Sequence, residues 1–387
     1  QKQLEQLLIE SEEHQKIYEE IIKNPLTAIK NACEYKGIVR EEKNKVALFL
    51  LGLLGKYSGA VWIRGETSTG KSHLMRNVLK LFPDDYYFSY SSTSNLGMLY
   101  AEDEEQIPQE AEIIYAPEEF ISNKFVEGFK RALTNIDDEE FKHITSEPDK
   151  WGARKSRILK AKHRAHWTTA TMSDINEENL NRGFTLSTED SAKKIESVLR
   201  FKTAYSKFGI VPNHEAFFEV FNIWRDELLD RRREVVNGKL WALETFLDYE
   251  FLTIPLSNPA VMRHYDKIRK VAISMAIVNN RPILENQGER FILVEPADVI
   301  LTLELFREIL TDTMTNLHKG HKEVYEAAIK TIENSSEGLV TVNEVHENIK
   351  SKSIETVRTY LNTLVKNNFL AYILLSLCLY TKWLFNC

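Results

Sequence analysis

Gly65-Glu66-Thr67-Ser68-Thr69-Gly70-Lys71-Ser72 is the stretch that most limits what this chain can fold into. It matches without deviation the pattern of a glycine, four free positions and then Gly-Lys-Ser. The apolar run 60–63 before it reads as a buried strand. Residues 73–82 after it have helical spacing and stop at Pro83. A glycine loop between strand and helix turns backbone N–H groups toward an anion, and the helix offers its positive end to the same charge. Gly65, Glu66, Thr67, Ser68, Thr69, Gly70, Lys71 and Ser72 are therefore the candidate phosphate-binding residues. Lys71 is expected to reach the β- and γ-phosphates of ATP, and the Ser72 hydroxyl to ligate Mg²⁺.

The chain has 387 residues, enough for two or three domains, and 43% of them are hydrophobic, enough for real cores. A net charge of −7 excludes a generally basic protein, so any nucleic-acid contact has to come from local patches. Cys33, Cys378 and Cys387 have no metal spacing and form no even-numbered framework, which predicts a reducing, cytoplasmic setting. The first residues read as a polar, charged helix rather than a signal peptide. The most lipid-like segment, 369–385, holds Lys382 and reads as a packed hairpin or strand, with no membrane role.

In chain order, residues 1–24, 26–35 and 41–52 read as helices, with Gly37 as a break. Residues 86–90 read as a strand and 100–112 as a solvated acidic loop. The apolar strand 112–116 ends in Pro117-Glu118-Glu119. In a phosphate-loop ATPase this strand end carries the acidic motif that holds Mg²⁺ through water and polarises the attacking water. Pro117 stands where the usual Asp would, Glu118 aligns with the catalytic Glu and also serves the metal, and Glu119 is its substitute by a shift of one. Residues 125–133 read as a short helix.

Lys150 to His166 is the most lopsided charge in the chain. Residues 152–157 read as a hairpin tip, so Arg154, Lys155, Arg157 and Lys160 are candidate contacts to a phosphate backbone. The plainer reading is a solvated basic face salt-bridged to the acidic loop. Residues 165–171 form a β-branched strand in which Thr169 or Thr171 is polar, and Arg182 precedes another apolar strand. Residues 191–280 read as mostly helical, with Arg231-Arg232-Arg233 as a helix face. Residues 296–310 form a further helix, 318–322 a linker, and the remainder runs helix, short strand, helix, helix, two strands.

Residues 37–45, the phosphate loop, Leu81-Phe82-Pro83, Trp167-Thr168-Thr169-Ala170-Thr171 and Leu180-Asn181-Arg182-Gly183-Phe184 ahead of 187–191 together resemble the helicase part of mobile-element primase–helicases. Those proteins are related to the minichromosome-maintenance helicases. The resemblance spans roughly residues 30–370, and only the phosphate loop is highly specific. It implies an α/β fold: an AAA+ P-loop ATPase core with a helical lid, followed by a C-terminal winged helix. The implied boundaries are an N-terminal helical segment 1–58, a core 59–190, a lid 191–317 and a winged helix 318–387. It implies a hexameric ring that closes ATP sites between subunits and projects a basic hairpin onto single-stranded DNA in a central channel. Thr169 would sit between γ-phosphate and water, Arg182 would be the finger into a neighbour's site, and Arg263 or Arg269 would reach the nucleotide from the lid. The implied activity is ATP-dependent DNA unwinding, with a primase or initiator as a possible partner. Two alternatives stay open: an initiator or loader that uses ATP as a switch, and a non-hydrolysing ATP-binding scaffold. The Pro117-Glu118 motif departs from the family in lacking its Asp. The family's N-terminal DNA-binding or primase domain has no counterpart in these residues, as expected of a fragment or a minimal motor.

Overall fold

The computed structural model describes residues 11–65, 68–91, 97–117, 140–148, 154–170, 183–189, 191–208, 214–235, 242–243, 260–286, 289–315, 319–335, 340–349, 352–366, 371–374 and 381–384. They fall into two compact units, Gln1–Leu310 and Thr311–Cys387.

The first unit opens with helices α1 (Glu12–Lys23), α2 (Pro25–Tyr35) and α3 (Glu42–Leu54). Ser11 caps α1 by accepting from His14 N, and Glu12 and Glu13 sit in its first turn, where the helix dipole favours acids. Pro25 starts α2, the helical position that lacks a use for its N–H. Every residue of α3 from Lys45 to Leu54 is buried, so this is a core helix rather than an amphipathic one. Lys45 is tolerated there because its ammonium reaches Glu42 at 2.9 Å and Glu34 at 3.1 Å.

Strand β1 (Ala60–Arg64), helix α4 (Lys71–Leu79), β2 (Tyr87–Ser89), α5 (Gly97–Asp103) and β3 (Ile113–Ala116) follow. After them come β4 (Glu140–Pro148), β5 (Arg154–Lys162), β6 (Ala165–Ala170) and β7 (Gly183–Ser187). Five of these strands make one sheet in the order β2-β3-β6-β1-β7, with parallel pairing throughout. Strands β1 and β6 are buried along their whole length, as parallel strands covered on both faces must be. β4 and β5 form a separate antiparallel hairpin inserted between β3 and β6.

The unit continues with α6 (Ala192–Phe208), α7 (Glu215–Val235), β8 (Ala242–Leu243), α8 (Ala260–Val278), β9 (Ile283–Asn286), β10 (Glu289–Leu293) and α9 (Pro296–Thr315). β8, β10 and β9 pair into a small sheet that helical periodicity did not foreshadow. The main core joins α1–α4, β1, β3, β6 and β7 to α7, α8 and α9. An aromatic stack of Tyr86, Phe82, Phe49 and Trp224 runs through it, with Phe49 and Trp224 parallel within 4°. Of the helix face Arg231-Arg232-Arg233, Arg232 lies in this interior. It meets Glu112 at 3.0 Å and Tyr86 OH at 3.3 Å. A second, smaller core of Met98, Leu99, Ile107, Ala111, Ile114, Leu159 and Ala161 anchors the hairpin.

The second unit packs α10 (Lys319–Glu333), α11 (Val342–Asn348) and α12 (Ile354–Lys366) around Val324, Val345, Val357, Leu361 and Leu364. Helix α10 begins inside the segment read as a linker. β11 (Val340–Thr341), β12 (Ala371–Leu374) and β13 (Thr381–Leu384) form an antiparallel sheet in the order β11-β13-β12. Thr341 and Glu344 build a reciprocal capping box at α11. Among the described residues no helix is long and apolar enough to cross a membrane.

Candidate nucleotide site

The phosphate loop leaves the carboxyl end of β1 and enters α4. Its two glycines are required for different reasons. A Cβ on Gly65 would lie 2.3 Å from Thr188 Oγ1, so packing excludes a side chain. At Gly70 nothing lies within 4 Å of a Cβ, but the backbone is left-handed, with φ 87°, where L side chains are strained. Ser68 is also left-handed, with φ 68°. Lys71 Nζ donates to Gly65 O at 2.9 Å, across the loop it is expected to serve. Glu66 and Thr67 lie outside the described residues.

Three elements meet in front of α4. Ser72 Oγ donates to Pro117 O at 3.3 Å and lies 3.3 Å from Thr169 Oγ1, and Thr169 Oγ1 also donates to Pro117 O. The start of α4, the end of β3 and the end of β6 thus converge on two hydroxyls and one carbonyl. Thr169 is buried. Oxygen donors suit Mg²⁺, which keeps several waters and needs few protein ligands beside phosphate oxygens. No group of three or more His, Cys, Asp or Glu suited to a metal occurs among the described residues. Two hydroxyls and a carbonyl would supply such an ion with part of its ligand set.

A brace beside the loop was missed from the sequence. Thr188 Oγ1 lies 2.9 Å from Thr69 Oγ1, and Thr188 N donates to Arg64 O at 3.0 Å. Lys194, buried on α6, donates to Thr69 O at 2.9 Å and to Glu41 Oε1. Glu41 accepts in addition from Glu189 N at 3.0 Å, and Arg40 Nε donates to Glu189 at 3.0 Å. Arg40 and Glu41 both have left-handed backbones, with φ 60° and 67°. Burial pushes the Glu189 carboxyl up, but hydrogen bonds from Ser191 and Arg40 outweigh it and hold the group below its ordinary value. The only sequence signal for this brace was that 37–45 and 187–191 both carried the family resemblance.

The basic residues singled out from the sequence lie on the antiparallel hairpin of β4 and β5. Arg154, Lys155, Arg157 and Lys160 lie on strand β5, not on a tip, and the connection 149–153 lies outside the described residues. Arg157 turns inward, donates to Asp103 at 2.6 Å and stands over the Tyr100 ring. Arg164 is buried against Glu102 and Ala111 O. The segment 100–112 is a solvated loop only in part: residues 104–110 are turns and mostly exposed, but its first residues belong to α5, whose acids hold two of the basic residues. The outward face pairs Lys142 with Lys160 and Ile144 with Ile158, flanked by Ser146, Ser156, Arg154 and Lys162. Ile144 and Ile158 are 70% and 54% exposed, although each is a large apolar residue.

Glu118, Glu119, Thr171, Arg182 and the side chain of Arg263 lie outside the described residues. Arg269 on α8 pairs with Asp266 at 3.6 Å and stands over the Tyr265 ring. Its neighbour Lys267 is buried and donates to Gly183 O at 2.6 Å, tying α8 to the start of β7.

Among solved structures, the chain is similar to a protein of Cytophaga hutchinsonii proposed to be an ATPase, at 13% identity and a TM-score of 0.37. That match covers 78% of this chain and 97% of the other. It is also similar to the Drosophila ORC bound to DNA, at 14% identity and a TM-score of 0.27, covering 93% of this chain and 89% of that one. No curated protein matches the chain. The parallel α/β sheet and the loop it presents fit an AAA+ P-loop ATPase. A family model matches residues 12–231, more than half of the chain and all of the loop and its brace, so this protein belongs to the MTBMA_p00010 P-loop domain family.

Proposed function

We propose that this protein is an ATP-hydrolysing motor of the AAA+ class that moves along DNA as a hexameric helicase of a mobile element. The observation that carries the ATPase reading is the meeting of Ser72, Thr169 and Pro117 O in front of a phosphate loop. Lys71 and the loop N–H groups bind the β- and γ-phosphates, and Ser72 holds Mg²⁺ against them. Bound Mg²⁺ neutralises charge that develops on the phosphates during transfer. Thr169 and Glu118 orient water, and Arg182 completes the site of a neighbouring subunit. The hairpin face of Lys142, Lys160 and Lys162 supports the DNA reading, because exposed lysines with apolar neighbours suit a sugar–phosphate chain. The second unit has the helix and strand order of a winged helix, which supports a further nucleic-acid or partner contact there.

The test is ATP turnover with and without single-stranded DNA, alongside strand displacement. DNA-stimulated turnover that Lys71→Ala abolishes is the expected result. Turnover indifferent to DNA would favour the switch or loader reading. Tight nucleotide binding without turnover would favour the scaffold reading, which rests on Pro117 at the acidic motif.

A further inference from the structure

Arg64 is the last residue of β1 and directly precedes Gly65. It is only 8% exposed, and its Nε is enclosed without an acceptor. Its guanidinium makes no hydrogen bond or ion pair with any described residue; only its carbonyl is engaged, by Thr188 N at 3.0 Å and Thr188 Oγ1 at 3.4 Å. Desolvation lowers its pKa, the direction expected of a cation buried without compensation.

The other buried cations described in this unit each have a partner: for Lys267 it is the Gly183 carbonyl, and for the rest it is an acid. Arg164 has Glu102, Arg232 has Glu112, Arg225 has Asp226 and Leu81 O, Lys45 has Glu34 and Glu42, and Lys194 has Glu41. Burying an unpaired charge is among the more expensive things a fold can do. Strand alternation puts Val61 and Ile63 into the main core, so Arg64 shares the opposite face with Trp62, between Ala170 on β6 and Ser187 on β7. That position is the carboxyl edge of a parallel sheet, where the chain turns into its own anion-binding loop.

We propose that Arg64 is a phosphate-binding residue, a second cation beside Lys71 whose acceptor is the phosphate chain of the bound nucleotide. The inference rests on the nucleotide reading above and deepens it. A triphosphate with its Mg²⁺ still carries negative charge after Lys71 is counted, and Arg64 supplies the balance. The fold then carries an uncompensated cation that ligand binding relieves, so stability and binding should respond to its removal in opposite directions.

The experiment compares wild type, Arg64→Met and Arg64→Lys by thermal unfolding without nucleotide and by equilibrium binding of MgATP. Arg64→Met should raise the melting temperature of the nucleotide-free protein and weaken MgATP binding by about tenfold or more. Arg64→Lys should retain most of the affinity. A lowered melting temperature for Arg64→Met would reveal a structural partner and overturn the proposal. A raised melting temperature with unaltered MgATP affinity would show that the nucleotide is not the acceptor. Wild-type protein that binds no MgATP would overturn the nucleotide reading and this inference together; wild-type binding matched by Arg64→Met overturns this inference alone.

Discussion

The hydroxyl of Thr188 lies 2.9 Å from that of Thr69, so the turn after β7 is joined directly to the phosphate loop. The same hydroxyl occupies the space a Cβ on Gly65 would need. Gly65→Ala should therefore distort the loop at a cost of about 1–3 kcal/mol, typical of overpacking, and weaken ATP binding. Thr188→Ala in the same chain should restore part of the affinity. Titration of labelled nucleotide into the single and double variants checks this; a double variant no better than Gly65→Ala would disprove the steric account.

Lys194 and Glu41 form a buried ion pair whose third member is Thr69 O. Removing one partner strands the other, which typically costs about 3–5 kcal/mol. Lys194→Met should show that loss in denaturant unfolding. Glu41→Gln combined with Lys194→Met should destabilise by much less than the sum of the single changes. Additive losses would mean that the two side chains do not depend on each other.

Glu112 links acid stability to the packing of α7. Burial raises its pKa, but Arg232 and the Lys56 N–H outweigh burial and hold it below the ordinary carboxylate value. The folded pKa lies below the unfolded one, so the contribution is complete above the ordinary carboxylate range. It fades as the pH falls from there through the lower folded value. Chemical unfolding of wild type and Glu112→Gln across an acid series should show a stability gap near neutrality that closes in acid. A gap independent of pH would exclude ionisation as its source.

The two faces of the hairpin should respond differently. Lys160 stands opposite Lys142 on the outward face, and like charges directly opposite across a strand pair repel. Lys160→Ala should lower single-stranded DNA affinity and reduce the log–log salt slope by about one, with stability unchanged or slightly improved. Arg157→Ala should instead lower the melting temperature, because Arg157 is bound to Asp103 and Tyr100. Equal DNA losses in both variants would contradict this division.

What could be read from residues alone followed from how local the physics is. The phosphate loop was legible because its glycines, lysine and serine answer to one backbone path, and β1 and α4 flank it as expected. Thr169 was one of two candidates by its place on a strand; only the sheet register could set it against Ser72. That the basic run 150–166 pairs with the acidic segment was one reading of the sequence, but only the structure shows that Arg157 takes Asp103 and Arg164 takes Glu102. The run of three arginines read as a helix face, but which of them is buried depends on Glu112 and Tyr86, far off in sequence, which meet Arg232. The Glu41–Lys194 brace was invisible because it joins residues 153 positions apart through a left-handed turn that no glycine announces.

The hydrogen bond from Lys71 to Gly65 O gives the loop an internal surrogate for its ligand. Arrival of a phosphate is then a substitution: the ammonium trades a carbonyl for a phosphoryl oxygen rather than shedding water alone. The strength of recognition then includes the difference between those two acceptors. Anything that pulls Gly65 O away from the lysine would sharpen the protein's appetite for nucleotide without touching the nucleotide at all.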